Sequence, residues 1–172
     1  MAQGLDMNIK IEGLPELFRD LGKIDPELRK AAVKNVRRSG ERIRNAARGN
    51  IPGEPPMSGW RRVRGRRGRW TWNPGQSRSR IRVKVGTGSV RTGDIKLLRI
   101  VQSDAAGSIY DMAGRRSGGS SPNGAQFIRN LNRKGRASRT MWPAAEANRD
   151  EVEQDLRQAI DDMADTVNRK LR

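Results

Sequence analysis

The sequence predicts an α+β fold in which a small antiparallel sheet is packed by two long helices, with a basic extended arm or loop attached. Three observations carry this expectation. Apolar residues recur at helical spacing over residues 26 to 48 and again over 142 to 171. Short segments with strand-like patterning occur at Met7–Ile11, Arg80–Val85 and Ile95–Val101. Between the first long helix and the later strands lies a stretch rich in Pro, Gly, Arg and Trp that follows neither period. With 172 residues, 34% of them hydrophobic and 19 glycines besides, the chain has material for one modest core, so a single domain over 1–172 is expected.

Taken in order, Met7, Ile9 and Ile11 alternate with Asn8, Lys10 and Glu12 until Gly13, a half-buried strand. Leu14, Leu17, Phe18 and Leu21 then mark a helix of two turns, with Pro15 tolerated near its start. Asp25 before Pro26 is an N-cap and first-turn pair, and Leu28, Ala32, Val36, Ile43 and Ala47 continue the apolar stripe to Gly49 and Pro52. The opposite face holds Lys30, Lys34, Arg37, Arg38, Arg42, Arg44 and Arg48, and its plainer reading is a solvated amphipathic face. Ser39 and Gly40 permit a slight bend there. Residues 53–80 read as an extended Arg/Trp-rich arm. Ile81, Val83 and Val85 form a strand whose antiparallel partner is Ile95–Val101, joined to it by the turn GTGSVRTGD. Ser108–Met112 is a third strand or a short helix, and 114–126 a flexible loop. Val152, Leu156, Ile160, Met163, Val167 and Leu171 put one apolar stripe on the last helix, whose entrance is Trp142 and Pro143. Tyr110, Trp142, Leu156, Ile160, Met163 and Val167 are therefore the expected packing or interface residues.

Charge is held unevenly. The net charge is +17, yet residues 141–172 carry five basic and eight acidic side chains, a net of −3 that leaves +20 on the rest. Between Arg61 and Arg91 there are eleven Lys or Arg and no acid. The densest part is WRRVRGRRGRWTW, where Trp60, Trp70 and Trp72 stand among Arg61, Arg62, Arg64, Arg66, Arg67 and Arg69. Such a segment repels itself and needs an acidic partner. Guanidinium and indole groups suit single-stranded nucleic acid. They equally suit a protein interface, where Arg and Trp dominate the binding energy. The residues alone leave both readings open.

The chain has no cysteine and no histidine, which removes thiolate chemistry, the commonest zinc ligands and the commonest general base. Gly86-Thr87-Gly88 and Gly93 lack the Gly-Lys-Ser/Thr ending of a phosphate loop and read as turn residues. The carboxylates Asp150, Glu151, Glu153 and Asp155, and those of Asp161, Asp162 and Asp165, fall at successive angles on a helix and read as a charged outer face. Hence no enzyme is expected, and no catalytic, cofactor-binding or metal-binding residue is assigned. The start, MAQGLDMNIKIEG, lacks the apolar run of a signal peptide, and no stretch has membrane-spanning length, so a soluble protein made in the cytoplasm without a membrane partner is expected.

The order of these elements carries a resemblance. A strand ending in Gly13-Leu14 with Leu17 comes first, then the basic helix of 26 to 48, then a β region. Ile109-Tyr110-Asp111-Met112-Ala113-Gly114 follows, and Arg139 to Ala145 opens a last long helix. This order resembles the small tail-completion and head-to-tail joining (neck) proteins of long-tailed bacteriophages, the group that includes the minor tail protein Z family. The resemblance covers nearly the whole chain. It departs after the first long helix, where family members often have a Pro and a Thr-Gly-Arg-Leu turn, whereas here Pro52 leads into GEPPMSGW. The resemblance implies a non-enzymatic virion subunit in a homo-oligomeric ring, six-fold as such rings commonly are, contacting other neck or tail proteins. The arm then becomes an assembly arm with Trp60, Trp70 and Trp72 as anchors, and its partner an acidic protein surface such as residues 146 to 165 of another copy. Deleting 61 to 72 is expected to spare the fold. The alternative is a basic nucleic-acid-binding protein contacting phosphates through residues 61–91, and non-specific DNA contact is expected of so cationic a chain.

Overall fold

Three short strands, β1 (Leu5–Ile9), β2 (Ile81–Val85) and β3 (Leu98–Gln102), form an antiparallel sheet in the order β1-β3-β2. The computed structural model describes residues 5–9, 23, 25–60, 71–85, 98–115 and 121–170. Register follows the alternation read from the sequence: Ile81 faces Gln102, Val83 faces Ile100 and Val85 faces Leu98. Leu98, Ile100 and Gln102 are buried, while Arg82 and Lys84 on the opposite face of β2 are exposed. On the far side of β3, Met7 pairs with Ile100 and Ile9 with Leu98, so β1 includes Leu5 and Asp6 ahead of the expected start at Met7 and keeps the expected parity of pairing, while Lys10 and Ile11 lie outside the described residues.

The helix α1 (Pro26–Gly49) packs on β2 and β3 and also on the C-terminal helices, so both parts of the core share it. Its start is set locally. The Asp25 carboxylate accepts from the Glu27 and Leu28 amides at 2.9 and 3.1 Å, and Pro26 occupies the first turn. Ala32, Val36, Ser39, Gly40, Ile43 and Ala47 are buried along it. Gly40 permits the sheet to approach closely. A Cβ there would lie 2.7 Å from Leu98 Cδ1 and 3.0 Å from Val83 Cγ1. Gly40→Ala is expected to lower stability by about 1 kcal/mol, because overpacking costs about 1–3 kcal/mol and the better helix propensity of alanine returns only about 1. A urea midpoint equal to that of the parent chain would remove the close-approach argument.

Two further helices frame the segment that follows. Ser58–Trp60 is a short 3-10 turn and α2 spans Pro74–Ser79, capped by the Asn73 carboxamide oxygen, which accepts from the Gln76 amide at 3.0 Å. Ser108–Met112, expected as strand or helix, lies in α3 (Ala105–Met112). The loop expected over 114–126 is helical from Pro122: α4 runs Pro122–Asn132, its first turn capped by Ser121 Oγ accepting from the Gly124 amide at 3.1 Å. The single helix expected over 142–171 is two helices, α5 (Met141–Ala147) and α6 (Arg149–Lys170). Asn148 divides them. Its amide donates to Ala145 O, its side-chain nitrogen donates to Ala144 O at 2.8 Å, and its carbonyl accepts the Val152 amide of the next helix at 3.0 Å.

Val152, Leu156 and Met163 of α6 are buried, and Ile160 and Val167 are partly buried against the same core. The apolar stripe of the last helix therefore serves packing within the chain. Where the two helices meet at the surface, Arg42 donates to Glu151 at 2.8 Å and lies 3.4 Å from Asp155. These groups are largely exposed, so the pair contributes about 1 kcal/mol or less. Among the described residues no helix is long and apolar enough to cross a membrane. The expected helix over 14–21, the turn over 86–94 and Leu171 lie outside the described residues.

Candidate functional site

The arginine segment leaves and returns to the folded body at one place. Trp60 and Trp72, the residues flanking it, are each only 6% exposed. Their rings stack with centroids 5.4 Å apart and planes 6° from parallel, and the Trp72 amide donates to Trp60 O at 3.0 Å. Phe127 of α4 meets the Trp60 ring edge-on at 6.0 Å, and Tyr110 of α3 meets Trp72 at 5.6 Å. The Trp72 indole nitrogen donates to Pro52 O at 3.1 Å, so its burial leaves no unsatisfied donor. Both tryptophans are thus buried within their own chain and are not exposed as the expected anchors on a partner. Arg61, Arg62, Arg64, Arg66, Arg67, Arg69 and Trp70 lie outside the described residues, and the extended arm expected over 53–80 is packed structure at both ends. The difference follows in part from α4, whose Phe127, just beyond the expected loop of 114–126, packs edge-on against Trp60.

The outgoing root is tied to the body by a buried polar network. Asp104 caps α3 through Oδ2, which accepts from the Gly107 amide at 2.8 Å and from Ser77 Oγ at 2.6 Å; Oδ1 accepts from Gln76 Nε2 at 3.2 Å. Gln102 closes the network, accepting from the Asp104 amide and donating to Ser77 O, both at 3.0 Å. Every group in it has a partner, so α2 is held firmly against α3.

Tyr110 leads to a second structure, a clasp between the end of α3 and the start of α5. Asp111 is fully buried, and its Oδ1 accepts from the Thr140 amide, the Thr140 hydroxyl and the Met141 amide. Thr140 makes no side-chain cap of its own, so Asp111 caps α5 from another helix. Arg139 answers from the other side. Its guanidinium donates to Tyr110 O at 2.7 Å and Ala113 O at 3.2 Å, satisfying the last carbonyls of α3, and to Gly135 O and Asn132 Oδ1 at 2.8 and 3.0 Å. It also lies 5.8 Å from the centre of the Tyr110 ring. Burial pulls the Arg139 pKa below its ordinary value, opposed by Tyr110 and Asp111, and burial pushes the Tyr110 phenol up, opposed by Arg139. Gly114, at φ +92°, lets the chain leave α3, and a Cβ there would meet Ile128 Cγ2 at 3.0 Å.

The chain matches no protein-family model, no curated protein and no solved structure.

Of the residues singled out from the sequence, the structure brings together Trp60, Trp72 and Tyr110, and beside them Arg139. Leu156 and Met163 are core residues, with Ile160 and Val167 at the core's margin. Trp142, expected as a packing or interface residue, is 60% exposed and so is not part of the core. It points out from α5 because the two neighbours that enter the core there are Met141 and Ala144. Asp111 and Arg139 carried no site expectation; they stand 28 positions apart, and no local spacing connects them. A signal for α4 was present, since Ser121 before Pro122 with Phe127, Ile128 and Leu131 following is a capped amphipathic pattern.

Exposed charge is unevenly distributed. Lys30, Lys34, Arg37, Arg38, Arg80, Arg82 and Lys84 are exposed on α1 and the β2 side, with Glu27 among them, whereas Glu146, Asp150, Glu153, Asp161, Asp162 and Asp165 are exposed on α5 and α6, interspersed with Arg149, Arg157 and Arg169. Part of the acidic face is already engaged, by Arg42 with Glu151 and Asp155 and by Arg157 with Glu153 at 2.6 Å. Glu146 and Asp150 have no ion pair among the described residues.

Proposed function

We propose that this chain is a structural virion protein of a long-tailed phage, a subunit of a ring at the head-tail interface or tail end that completes or joins the tail. The observation that carries the reading is the clasp. The two segments that bear the resemblance, Ile109–Gly114 and Arg139–Ala145, meet in one buried junction, with Asp111 capping α5 and Arg139 closing α3. Asp111 and Arg139 thus have framework roles, which suits a structural subunit. A body with unevenly distributed charge also suits the head-to-tail contacts by which identical subunits close a ring. The neighbours would be further copies in a six-fold ring and other neck or tail proteins.

In this reading the arginine segment is an assembly arm held on its own subunit by the stacked tryptophans. The test is a particle experiment. Mass spectrometry of purified virions should find the protein, averaged images should place it at the neck or tail end, and a phage lacking it should yield unjoined heads and tails. Normal infectious particles without the protein would sink the proposal.

The exposed Arg80, Arg82 and Lys84 of the β2 side favour a second reading, a nucleic-acid-binding protein tracking phosphates through residues 61–91. A salt titration separates the two. Submicromolar DNA affinity near physiological salt, falling steeply in log affinity against log salt, would support the second reading over the first.

A further inference from the structure

We propose that the outer face of α5, formed by Trp142 and Glu146, receives an arginine from the 61–69 run of a second copy of this chain. The inference rests on the ring reading above and names the contact that closes it. Trp142 is the exposed large hydrophobic side chain among the described residues, at 60% exposure, while Trp60 and Trp72 are buried in their own subunit. An exposed indole offers a large, rigid apolar surface of the kind enriched among residues that dominate interfaces. Glu146 stands four residues further along, which places it one turn away on the same helix face. It is exposed and has no ion pair among the described residues.

This pair has the chemistry of an arginine receptor. A guanidinium laid on the indole gains a cation–π contact, and the neighbouring carboxylate accepts its N–H groups in the plane. Lysine would satisfy the carboxylate but stack less well. The support is rigid, because Asp111 holds the Thr140 and Met141 amides at the start of α5, immediately before Trp142. Charge complementarity selects the occupant. The same chain carries six arginines between Arg61 and Arg69 with no acid nearby, and its roots are pinned at Trp60 and Trp72. The eleven residues between these roots, if extended, can carry an arginine about 15 Å away from them. A chain that offers arginines at one place and an indole with a carboxylate at another is suited to a heterologous contact between copies.

Sedimentation velocity on the full-length protein, over a range of concentrations at low and at high salt, tests the contact. The expected result is self-association that weakens with salt. Trp142→Ala should weaken it about thirty-fold, the size expected for loss of an interface tryptophan, with the unfolding midpoint unchanged because the side chain is exposed. Glu146→Arg should weaken it as well, and combining Glu146→Arg with Arg66→Glu and Arg67→Glu should restore it toward the parent. A parent chain that stays monomeric, variants that associate as the parent does, or a triple variant no better than Glu146→Arg alone would each overturn the proposal. The ring reading is judged separately: virions containing the protein, assembled normally with Trp142→Ala, would overturn this contact alone, whereas virions lacking the protein would overturn the ring reading and leave a Trp142-dependent association standing.

Discussion

Asp111→Ala is expected to destabilise the protein by about 3–5 kcal/mol, the range for removing one side of a buried, charge-assisted set of hydrogen bonds. The side chain is fully buried and its Oδ1 receives three donors, two amides and a hydroxyl, at the start of α5. Without it the Thr140 and Met141 amides lose their acceptor in a place that water does not reach. Thr140 has no alternative cap to offer. Asp111→Asn should cost less, about 1–3 kcal/mol, because the amide oxygen still accepts while its nitrogen replaces Oδ2, which has no partner in the structure. Urea unfolding of both variants measures this. A loss below about 1 kcal/mol in the alanine variant would show that α5 is held by its packing on α1 and not by the clasp.

Trp72→Ala is the second large effect, with an expected loss of about 3–5 kcal/mol for truncating a buried aromatic side chain. The change removes the stack on Trp60, the edge contact with Tyr110 and the hydrogen bond to Pro52 O together. The stacked pair itself adds about 0.5–1.5 kcal/mol beyond burial. Deleting 61 to 72 therefore removes part of the core and is no test of the arm. A deletion confined to residues 62–69 keeps both tryptophans. Its expected unfolding midpoint is close to that of the parent, with a loss of no more than about 1 kcal/mol. Thermal or urea unfolding of the two variants side by side decides the matter, and equal losses in both would contradict the assignment of Trp72 to the core.

The first long helix was legible because its signals are local. Asp25, Pro26 and the apolar spacing from Leu28 to Ala47 act within a turn or two of one another, and the helix spans Pro26–Gly49. The pairing of Ile81–Val85 with Leu98–Gln102 was legible for the same reason, as period-2 alternation states which side chains face inward. The candidate site was less so. Charge and aromatic content marked the segment from Trp60 to Trp72, yet the same tryptophan suits a partner's surface and the protein's own core equally well. Which one it joins depends on Phe127 and Tyr110, residues far along the chain.

By itself, the sequence determined the α+β class, the long basic helix, the paired strands, the uneven distribution of charge and the absence of histidine and cysteine chemistry. Only the tertiary structure decided that Gly40 is a point of close approach, that Trp60 and Trp72 face inward while Trp142 faces water, and that Asp111 and Arg139 close one junction. The division has a physical cause. Helix caps and periodicity are settled by neighbours within a few residues, whereas burial of an aromatic ring or pairing of a charged group is settled by whatever distant segment the fold brings against it.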